Sequence, residues 1–185
     1  MTTLPGLVVS VADLQRHPGD RRHLSLELRA AEIDVGDAMV PDGAVVELDG
    51  DLEALADGVV FTGTARAPWR AVCRRCLGPA HGELVAPLRE VFARPGHAVE
   101  GEDDVFPISA QSVDLGPAVH DALALELPLA PLCMDSCAGL CPTCGVDRNH
   151  ARCSCRVDRT DPRWAALDVL KQPNQARFDP GSAAR

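Results

Sequence analysis

The sequence predicts an α+β protein, built from an antiparallel sheet that is open or curled into a partial barrel and a helical segment near the C-terminal end. Three observations support this prediction. Apolar and polar residues alternate over several short stretches of residues 23–92, as they do in half-buried strands. Helical periodicity replaces this alternation in two later stretches. Six of the eight cysteines lie within residues 133–155, which marks a separate segment.

Five stretches are predicted as strands, in chain order residues 23–29, 44–49, 59–67, 69–73 and 83–92. In the first of them three leucines alternate with polar residues, so one face of this strand is expected to be buried. The sequences PDG at 41–43 and DG at 57–58 predict turns between strands. Pro87 has no N–H group, which places the last strand at a sheet edge or at a bulge.

Two helices are predicted after the strands. In residues 114–127, Pro117 suits the first helical turn and Pro128 follows the last one. One face of this helix collects the apolar residues Val119, Leu123 and Leu127. In residues 161–172, Asp161 can cap the helix N-terminus. The inward face of this second helix is expected to consist of Trp164, Leu167 and Leu170.

Charge is distributed unevenly along the chain. The protein carries 27 acidic and 18 basic residues, for a net charge of −9. Residues 1–140 hold 22 acidic and 10 basic residues, whereas residues 141–177 hold 4 acidic and 7 basic ones. The acidic body argues against general coating of nucleic acid, and an aromatic content of 3% argues against a stacking platform for single strands. The basic end is either a solvated surface or a contact patch, with the candidate residues Arg148, Arg152, Arg156, Arg159 and Arg163.

No targeting segment is evident. The first residues lack a basic region and their apolar run is short, and no stretch approaches the roughly 20 apolar residues of a membrane-spanning helix. The expected location is therefore the cytoplasm, where thiols stay reduced. Metal binding is accordingly favoured over a disulfide framework.

The spacing of four cysteines predicts one zinc site. The motif Cys141-Pro-Thr-Cys144 lets both sulfurs reach a single ion, and Gly145 can adopt the left-handed conformation that such a turn needs. Cys153 and Cys155 are two positions apart, so in an extended segment they point the same way. Replacement of one of these thiolates by a histidine, His150, is an alternative.

The other four cysteines predict a second site. Cys73 and Cys76 form another CxxC motif, and Cys133 and Cys137 have the i/i+4 spacing that puts two side chains on one face of a helical turn or a loop. Together they would clip the sheet to the C-terminal segment. Two alternatives stay open: Cys133 and Cys137 are small buried residues without a ligand role, or the two ligand sets are interleaved.

Zinc is thus the expected cofactor, as one or two structural ions. Four thiolates leave no open coordination position for catalysis, and the −2 charge of each filled site can be offset by neighbouring arginines such as Arg74 and Arg75. The histidines are scattered, and no phosphate-binding glycine loop is present. The enzymatic alternative is a thiol oxidoreductase that uses Cys73 and Cys76, with thiol pKa values lowered by the adjacent arginines.

The predicted organisation has three parts. Residues 1–130 form an antiparallel β-rich domain with one helix, residues 131–177 form a cysteine-rich zinc-binding segment with the second helix, and residues 178–185 form a flexible tail. Residues 94–104 lack apolar periodicity and end in acidic residues, so an exposed loop is expected there.

The order of the motifs is specific. AVCRRCLGPA is followed by DLGPAVHDALALELPLAPLC, then by GLCPTCGVDRNHARCSC and DPRWAALDVL. This order resembles the bacterial YceD family, and within it the actinobacterial branch with a cysteine-rich C-terminus, over roughly residues 20–172. Cys73 and Cys76 match the CxRC motif of the family, Cys133 and Cys137 match a pair after its Leu-Pro segment, and the last four cysteines match those of the CPxCG branch.

The resemblance implies a role in the accumulation of large-subunit ribosomal RNA, and so in assembly of the large ribosomal subunit, without enzymatic activity. Family genes commonly adjoin the gene of a small zinc-binding ribosomal protein of the large subunit, which makes that protein or the RNA itself the expected partner. No membrane and no small-molecule substrate are expected. A zinc ribbon that binds DNA in transcription is a further alternative, which the acidic body disfavours.

Overall fold

The structure, a computed structural model, describes residues 7–94 and 105–155, together with Arg163 and Leu167. These residues contain nine strands and one α-helix. The strands are β1 (Val8–Ser10), β2 (Arg21–Arg29), β3 (Ile33–Val35), β4 (Ala38–Val40), β5 (Val45–Ala54), β6 (Gly58–Val72), β7 (Pro79–Ala93), β8 (Phe106–Pro107) and β9 (Ser112–Asp114). The helix α1 spans Gly116–Glu126, and a short 3-10 turn spans Leu14–Arg16.

Strand β6 is the centre of the main sheet. Along one edge it pairs antiparallel with β7 over its whole length. Along the other edge its first half pairs with β5 and its last residues pair with β4. Strand β2 lies beyond β5, β3 lies beyond β4, and β8 runs parallel to the end of β7. The described strands therefore form an open sheet with two arms on one edge of β6, and β1 and β9 pair separately.

Two prolines of the sheet lie at positions where no backbone N–H group is needed for pairing between strands. Cys73 donates its N–H to the carbonyl of Gly78 at 2.8 Å, and this bonded pair sets the alternation of hydrogen bonds along the β6–β7 hairpin. By that alternation, Pro68 faces away from β7, into the gap where β6 changes partner from β5 to β4. Pro87 faces away from β6, where no described strand pairs with it. The prediction of an edge position for Pro87 is confirmed.

A glycine pair makes room for an aromatic ring on the buried face of the sheet. Gly50 of β5 and Gly63 of β6 are directly opposite each other. The ring of Phe61, which is fully buried, covers both of them. A Cβ atom on Gly50 would lie 2.5 Å from the carbonyl oxygen of Thr62 and 2.8 Å from Cζ of Phe61. Only glycine therefore fits this position beneath the ring.

Helix α1 closes the apolar core. The side chain of Asp114 accepts the N–H of Gly116 at 2.9 Å and so begins the helix. The predicted inward residues Val119, Leu123 and Leu127 are each exposed by 2% or less. The helix packs on β3, β6 and β7, so its apolar face covers the buried side of the sheet.

The strand predictions are confirmed in place and extended in length. The stretch 23–29 lies in β2, 44–49 overlaps β5 and 83–92 lies in β7. The stretches 59–67 and 69–73, predicted as two strands, form the single 15-residue strand β6 as far as Val72. The strand runs on through Pro68 because the missing donor of this residue faces a gap.

The predicted fold class is wrong. The described structure is mostly β, with 47% strand and 11% helical residues, so it is not of the α+β class and no C-terminal helical segment is shown. Residues 131–155 run through turns, because sulfurs that converge from CxxC motifs and from neighbours two positions apart require non-helical backbone. The predicted helix at 161–172 falls outside the described residues except for Arg163 and Leu167, and Leu167, expected to face inward, is 46% exposed.

The predicted loop at 94–104 and the predicted tail at 178–185 also fall outside the described residues, except for Arg94. Within the described ranges, no helix has the length and apolar character needed to cross a membrane.

The glycine pair generates a first prediction. We expect Gly50→Ala to lower the free energy of unfolding by about 1–3 kcal/mol, because the new methyl group overpacks the site beneath Phe61. Chemical denaturation of the purified protein measures the change. The matched control is Ser25→Ala on the exposed face of neighbouring β2, expected to stay within about 0.5 kcal/mol. Equal stabilities of the two variants would contradict the packing described here.

Candidate metal centres

The eight cysteines form two groups of four. The first consists of Cys73, Cys76, Cys133 and Cys137, and the second of Cys141, Cys144, Cys153 and Cys155. Within each group the sulfur atoms all lie within 4.8 Å of one another. This is the grouping that the spacing predicted, without interleaving. It also argues against the alternative in which Cys133 and Cys137 merely fill space.

The first cluster lies at the end of the central hairpin. Cys73 directly follows β6 and continues its buried face, and Cys76 lies in the turn that leads into β7. The Sγ atoms of Cys73 and Cys137 are 3.8 Å apart, and those of Cys76 and Cys133 are 3.6 Å apart. The cluster packs against Ala80, with Trp69, Ala71 and Leu132 around it. It therefore joins segments 57 to 64 residues apart in the chain.

Two arginines of the turn hold the partner segment in place. The backbone N–H of Arg74 donates to the carbonyl of Pro131 at 3.0 Å, and its guanidinium donates to the carbonyl of Leu129 at 3.1 Å. The guanidinium of Arg75 donates to the carbonyls of Asp135 at 3.4 Å and Cys137 at 3.0 Å. The structure shows that both guanidinium groups bind backbone carbonyls, and their compensation of thiolate charge stays a prediction.

The same turn is built twice. In the first cluster Cys73 donates its N–H to the carbonyl of Gly78, and Leu77 donates its N–H to the carbonyl of Cys73, at 2.8 and 2.9 Å. In the second cluster the corresponding bonds run from Cys141 to Val146 and from Gly145 to Cys141, again at 2.8 and 2.9 Å. Each CxxC motif thus forms one compact turn, which we call a knuckle. Its geometry follows from residue spacing rather than from the fold around it.

The residue after the second cysteine of each knuckle has a left-handed backbone. Gly145 has φ of +73°, as the sequence predicted. At the corresponding position of the first knuckle stands Leu77, with φ of +59°, and the glycine comes one residue later. A leucine in this conformation costs roughly 1–2 kcal/mol, and its side chain is 66% exposed, so burial does not offset the strain.

Backbone N–H groups stabilise one thiolate in each cluster. The N–H of Cys76 lowers the pKa of the Cys73 thiol to about 6 against the opposing effect of burial. In the second cluster the N–H of Cys144 does most to lower the pKa of Cys141, again to about 6. The first cysteine of each knuckle is therefore prepared as an anionic ligand.

The remaining thiols cannot all ionise unaided. Burial, followed by the neighbouring sulfurs, raises the pKa of Cys133 to about 12. The sulfur of Cys144, followed by burial, raises the pKa of Cys155 to about 12. Four sulfurs at these separations need a cation among them if all are to be thiolates, because like charges this close repel strongly.

The donor set fits a tetrahedral, thiophilic metal ion. Metal–sulfur bonds of about 2.3 Å in a tetrahedron separate the sulfurs by roughly 3.8 Å, close to the 3.8 and 3.6 Å observed in the first cluster. A disulfide would require about 2.05 Å, and all eight cysteines are free. Both clusters can therefore hold a metal ion with four sulfur ligands and no open position.

Asn149 connects the two clusters. Its side-chain N–H₂ group donates to the sulfur of Cys137 at 3.4 Å and to the carboxylate of Asp147 at 2.7 Å, and its oxygen accepts the N–H of Ala138 at 2.7 Å. His150, considered as a replacement ligand, instead contacts the carboxylate of Asp147 at 2.9 Å and is exposed. Sequence reasoning missed Asn149, because nothing in the residue order indicates that it reaches a cysteine of the other cluster.

The predicted contact arginines are only partly placed. Arg148 and Arg152 are exposed and line a cavity of about 530 Å³ beside the second cluster, together with Cys141, Cys153 and Cys155. Arg163 is exposed. Arg156 and Arg159 fall outside the described residues. The structure therefore brings two of the five candidates together.

Comparison with known proteins gives a family match. The family model described as "Large ribosomal RNA subunit accumulation protein YceD" matches residues 61–171, which is more than half of the chain and includes all eight cysteines. No solved structure is significantly similar.

Several curated proteins are similar over most of the chain. An uncharacterised protein of Mycobacterium tuberculosis is 37% identical over 175 residues, covering 90% of this chain and 82% of the relative. An uncharacterised protein of Mycobacterium leprae is 33% identical over 176 residues, covering 91% and 79%. The chloroplastic "Large ribosomal RNA subunit accumulation protein YCED homolog 1" of Arabidopsis thaliana is 25% identical over 167 residues, covering 74% and 52%.

The strained leucine of the first knuckle generates a second prediction. We expect Leu77→Gly to preserve or raise the free energy of unfolding, by up to about 1 kcal/mol, because relief of the left-handed strain exceeds the entropic cost of glycine. Leu77→Val should lower it, since a β-branched residue tolerates this conformation poorly. Thermal and chemical unfolding of both variants measure the order. A glycine variant less stable than the valine variant would contradict the backbone geometry.

Proposed function

Because the chain belongs to the YceD family, we propose that it is a non-catalytic assembly factor that supports accumulation of large-subunit ribosomal RNA and is stabilised by two structural zinc ions. The observation that carries this proposal is the family match, which spans both cysteine clusters. The Arabidopsis relative bears a name that refers to the same role. The cytoplasm is the location consistent with this function and with reduced thiols.

The two ions would have different structural roles. The first would join the β6–β7 hairpin to a segment some 60 residues later, and closing so long a loop restricts the unfolded chain considerably. The second would order residues 141–155 alone. Tetrahedral four-sulfur coordination favours zinc over hard cations such as magnesium and calcium. Iron can also occupy such a site, so metal analysis is part of the test.

Charge supports a division of labour between two partners. Arg148 and Arg152 form an exposed basic pair beside the second cluster, and we propose that they contact phosphates of ribosomal RNA together with the three arginines that follow them. On the sheet, the exposed side of β5 carries Glu47, Asp49 and Asp51, and Glu27 of β2 lies directly opposite Glu47. Such a face suits a basic ribosomal protein of the large subunit.

A thiol oxidoreductase is the second candidate, because the pKa of Cys73 is lowered to about 6. Cys73 is 0% exposed to solvent, however, and its sulfur lies 3.8 Å from the sulfur of Cys137. A substrate disulfide would need to reach a sulfur enclosed by three other cysteines. Native protein without metal and with a titratable thiol at Cys73 would support this candidate instead.

Metal content provides a third prediction. We expect two zinc ions per chain in the native protein, and one ion in Cys137→Ser and in Cys153→Ser. Loss of the first ion should lower the unfolding temperature by roughly 10 °C or more, because structural zinc contributes several kcal/mol to folding, whereas loss of the second should affect mainly residues 141–155. Elemental analysis and calorimetry measure both effects, with Ser136→Ala as control. Wild-type protein without bound metal would refute the zinc proposal.

The arginine pair provides a fourth prediction. We expect Arg148→Glu combined with Arg152→Glu to weaken binding to large-subunit ribosomal RNA and to reduce the log–log slope of affinity against salt by about 2, because two phosphate contacts are lost. Filter binding over a range of salt concentrations measures this. Arg16→Glu, which removes an exposed charge paired with Asp13, is the matched control and should leave the slope unchanged.

A cellular experiment tests the assembly role itself. We expect the tagged protein to sediment with large-subunit precursors, and its deletion to lower the ratio of large to small subunits. Presence of the protein only in free fractions, together with unchanged subunit ratios after deletion, would refute the proposal.

A further inference from the structure

The two clusters differ sharply in their exposure to solvent. In the first, Cys73 and Cys137 are 0% and 3% exposed, and the other two cysteines are half-buried. In the second, Cys144 and Cys153 are both exposed, and only Cys141 is buried. The same four-sulfur chemistry is thus enclosed at one site and open at the other.

Besides the exposed surface of Cys144 and Cys153, a cavity gives solvent access to the second cluster. The cavity of about 530 Å³ that Arg148 and Arg152 line has Cys153 and Cys155 in its wall. A small oxidant therefore has room to reach these sulfurs. The first cluster is instead packed against Ala80 and Trp69 at the end of the hairpin.

The clusters differ in what their loss would do to the fold. All ligands of the second lie within residues 141–155, and the described hydrogen bonds between this segment and the rest of the chain run to residues 137–140, such as that from the N–H of Arg148 to the carbonyl of Gly139 at 2.9 Å. The first cluster holds two distant segments together. A reaction at the second cluster can therefore proceed without unfolding the sheet.

We propose that the second cluster is a thiol modification site for hydroperoxides, at which Cys144 and Cys153 are oxidised to a disulfide and the metal ion is released, while the first cluster retains its ion. This inference rests on the proposed occupancy by zinc. The sulfurs of Cys144 and Cys153 lie within 4.8 Å of each other, so bond formation requires only a local change of the second knuckle.

The reaction balances with peroxide as the oxidant. The thiolate of Cys144 attacks one oxygen of hydrogen peroxide, the O–O bond breaks, and a sulfenic acid forms with release of one water after protonation. The thiolate of Cys153 then displaces hydroxide from that sulfur, which leaves as a second water. Two electrons pass from the two sulfurs to peroxide, and two protons are consumed. Zn²⁺ is released, and the thiolates of the other two cysteines remain unoxidised.

The reaction would act on the proposed RNA contact. Arg148 and Arg152 lie in the same fifteen-residue segment as the ligands of the second cluster, so release of the ion removes what orders them. Oxidation would thus weaken RNA binding, and a thiol reductant with zinc would restore it.

The test begins with zinc-loaded full-length protein of known metal content, treated with increasing hydrogen peroxide. A chromogenic chelator follows metal release, and mass spectrometry after alkylation identifies the oxidised cysteines. We expect one of two zinc ions to be released at low peroxide, with Cys144 and Cys153 joined and Cys73 and Cys137 still reduced. Simultaneous release of both ions, or prior oxidation of Cys73 or Cys137, would overturn the proposal.

A variant pair tests the role of access. Ala151→Leu places bulk in the wall of the cavity and is expected to slow zinc release several-fold, whereas Ala56→Leu, an exposed substitution in the turn between β5 and β6, should leave the rate unchanged. Equal rates would contradict access through the cavity. Failure of the metal proposal is recognised separately, because elemental analysis of the protein before any oxidant is added would then find no bound zinc.

Discussion

The convergence of four cysteine sulfurs from two distant segments is the constraint on which the rest of this protein depends. Cys73 ends the buried face of the central strand, and Cys137 meets it at 3.8 Å from a position 64 residues later. Such a meeting is costly without a cation, because burial and neighbouring sulfurs hold Cys133 in its protonated form. The metal proposed here would offset this repulsion and cross-link the two segments.

The second cluster uses the same local geometry in a different setting. Its knuckle repeats the hydrogen bonds of the first within 0.1 Å, yet all four of its ligands lie within residues 141–155, outside the described strands. The bond from Asn149 to the sulfur of Cys137 makes its position depend on the first cluster. Identical ligand turns thus serve a structural role in one place and, as proposed, a responsive role in the other.

Most of the sheet and the ligand grouping could be predicted from the sequence, because both follow from short-range rules. The alternation of apolar and polar residues identifies the buried and exposed faces of β2 and β5, and the CxxC spacing identifies each knuckle. The length of β6 could not be predicted, since it depends on which neighbour Pro68 faces, and Asn149 and Leu77 act through contacts and backbone angles that residue order does not reveal. The helical segment was predicted from capping residues and periodicity alone, signals that carry no information on whether a surface exists to pack against it.

The outward position of Pro87 has a consequence for how this protein behaves in a crowded cell. Pro79 and Pro87 both lack a donor on the side of β7 where, among the described residues, only the short β8 pairs, so a strand from another molecule could not form an uninterrupted ladder along that side. Long edges are the usual starting points of intermolecular sheet growth. The two imino acids therefore act as built-in stops against aggregation during synthesis, before the cysteine-rich segment has emerged from the ribosome to complete the fold.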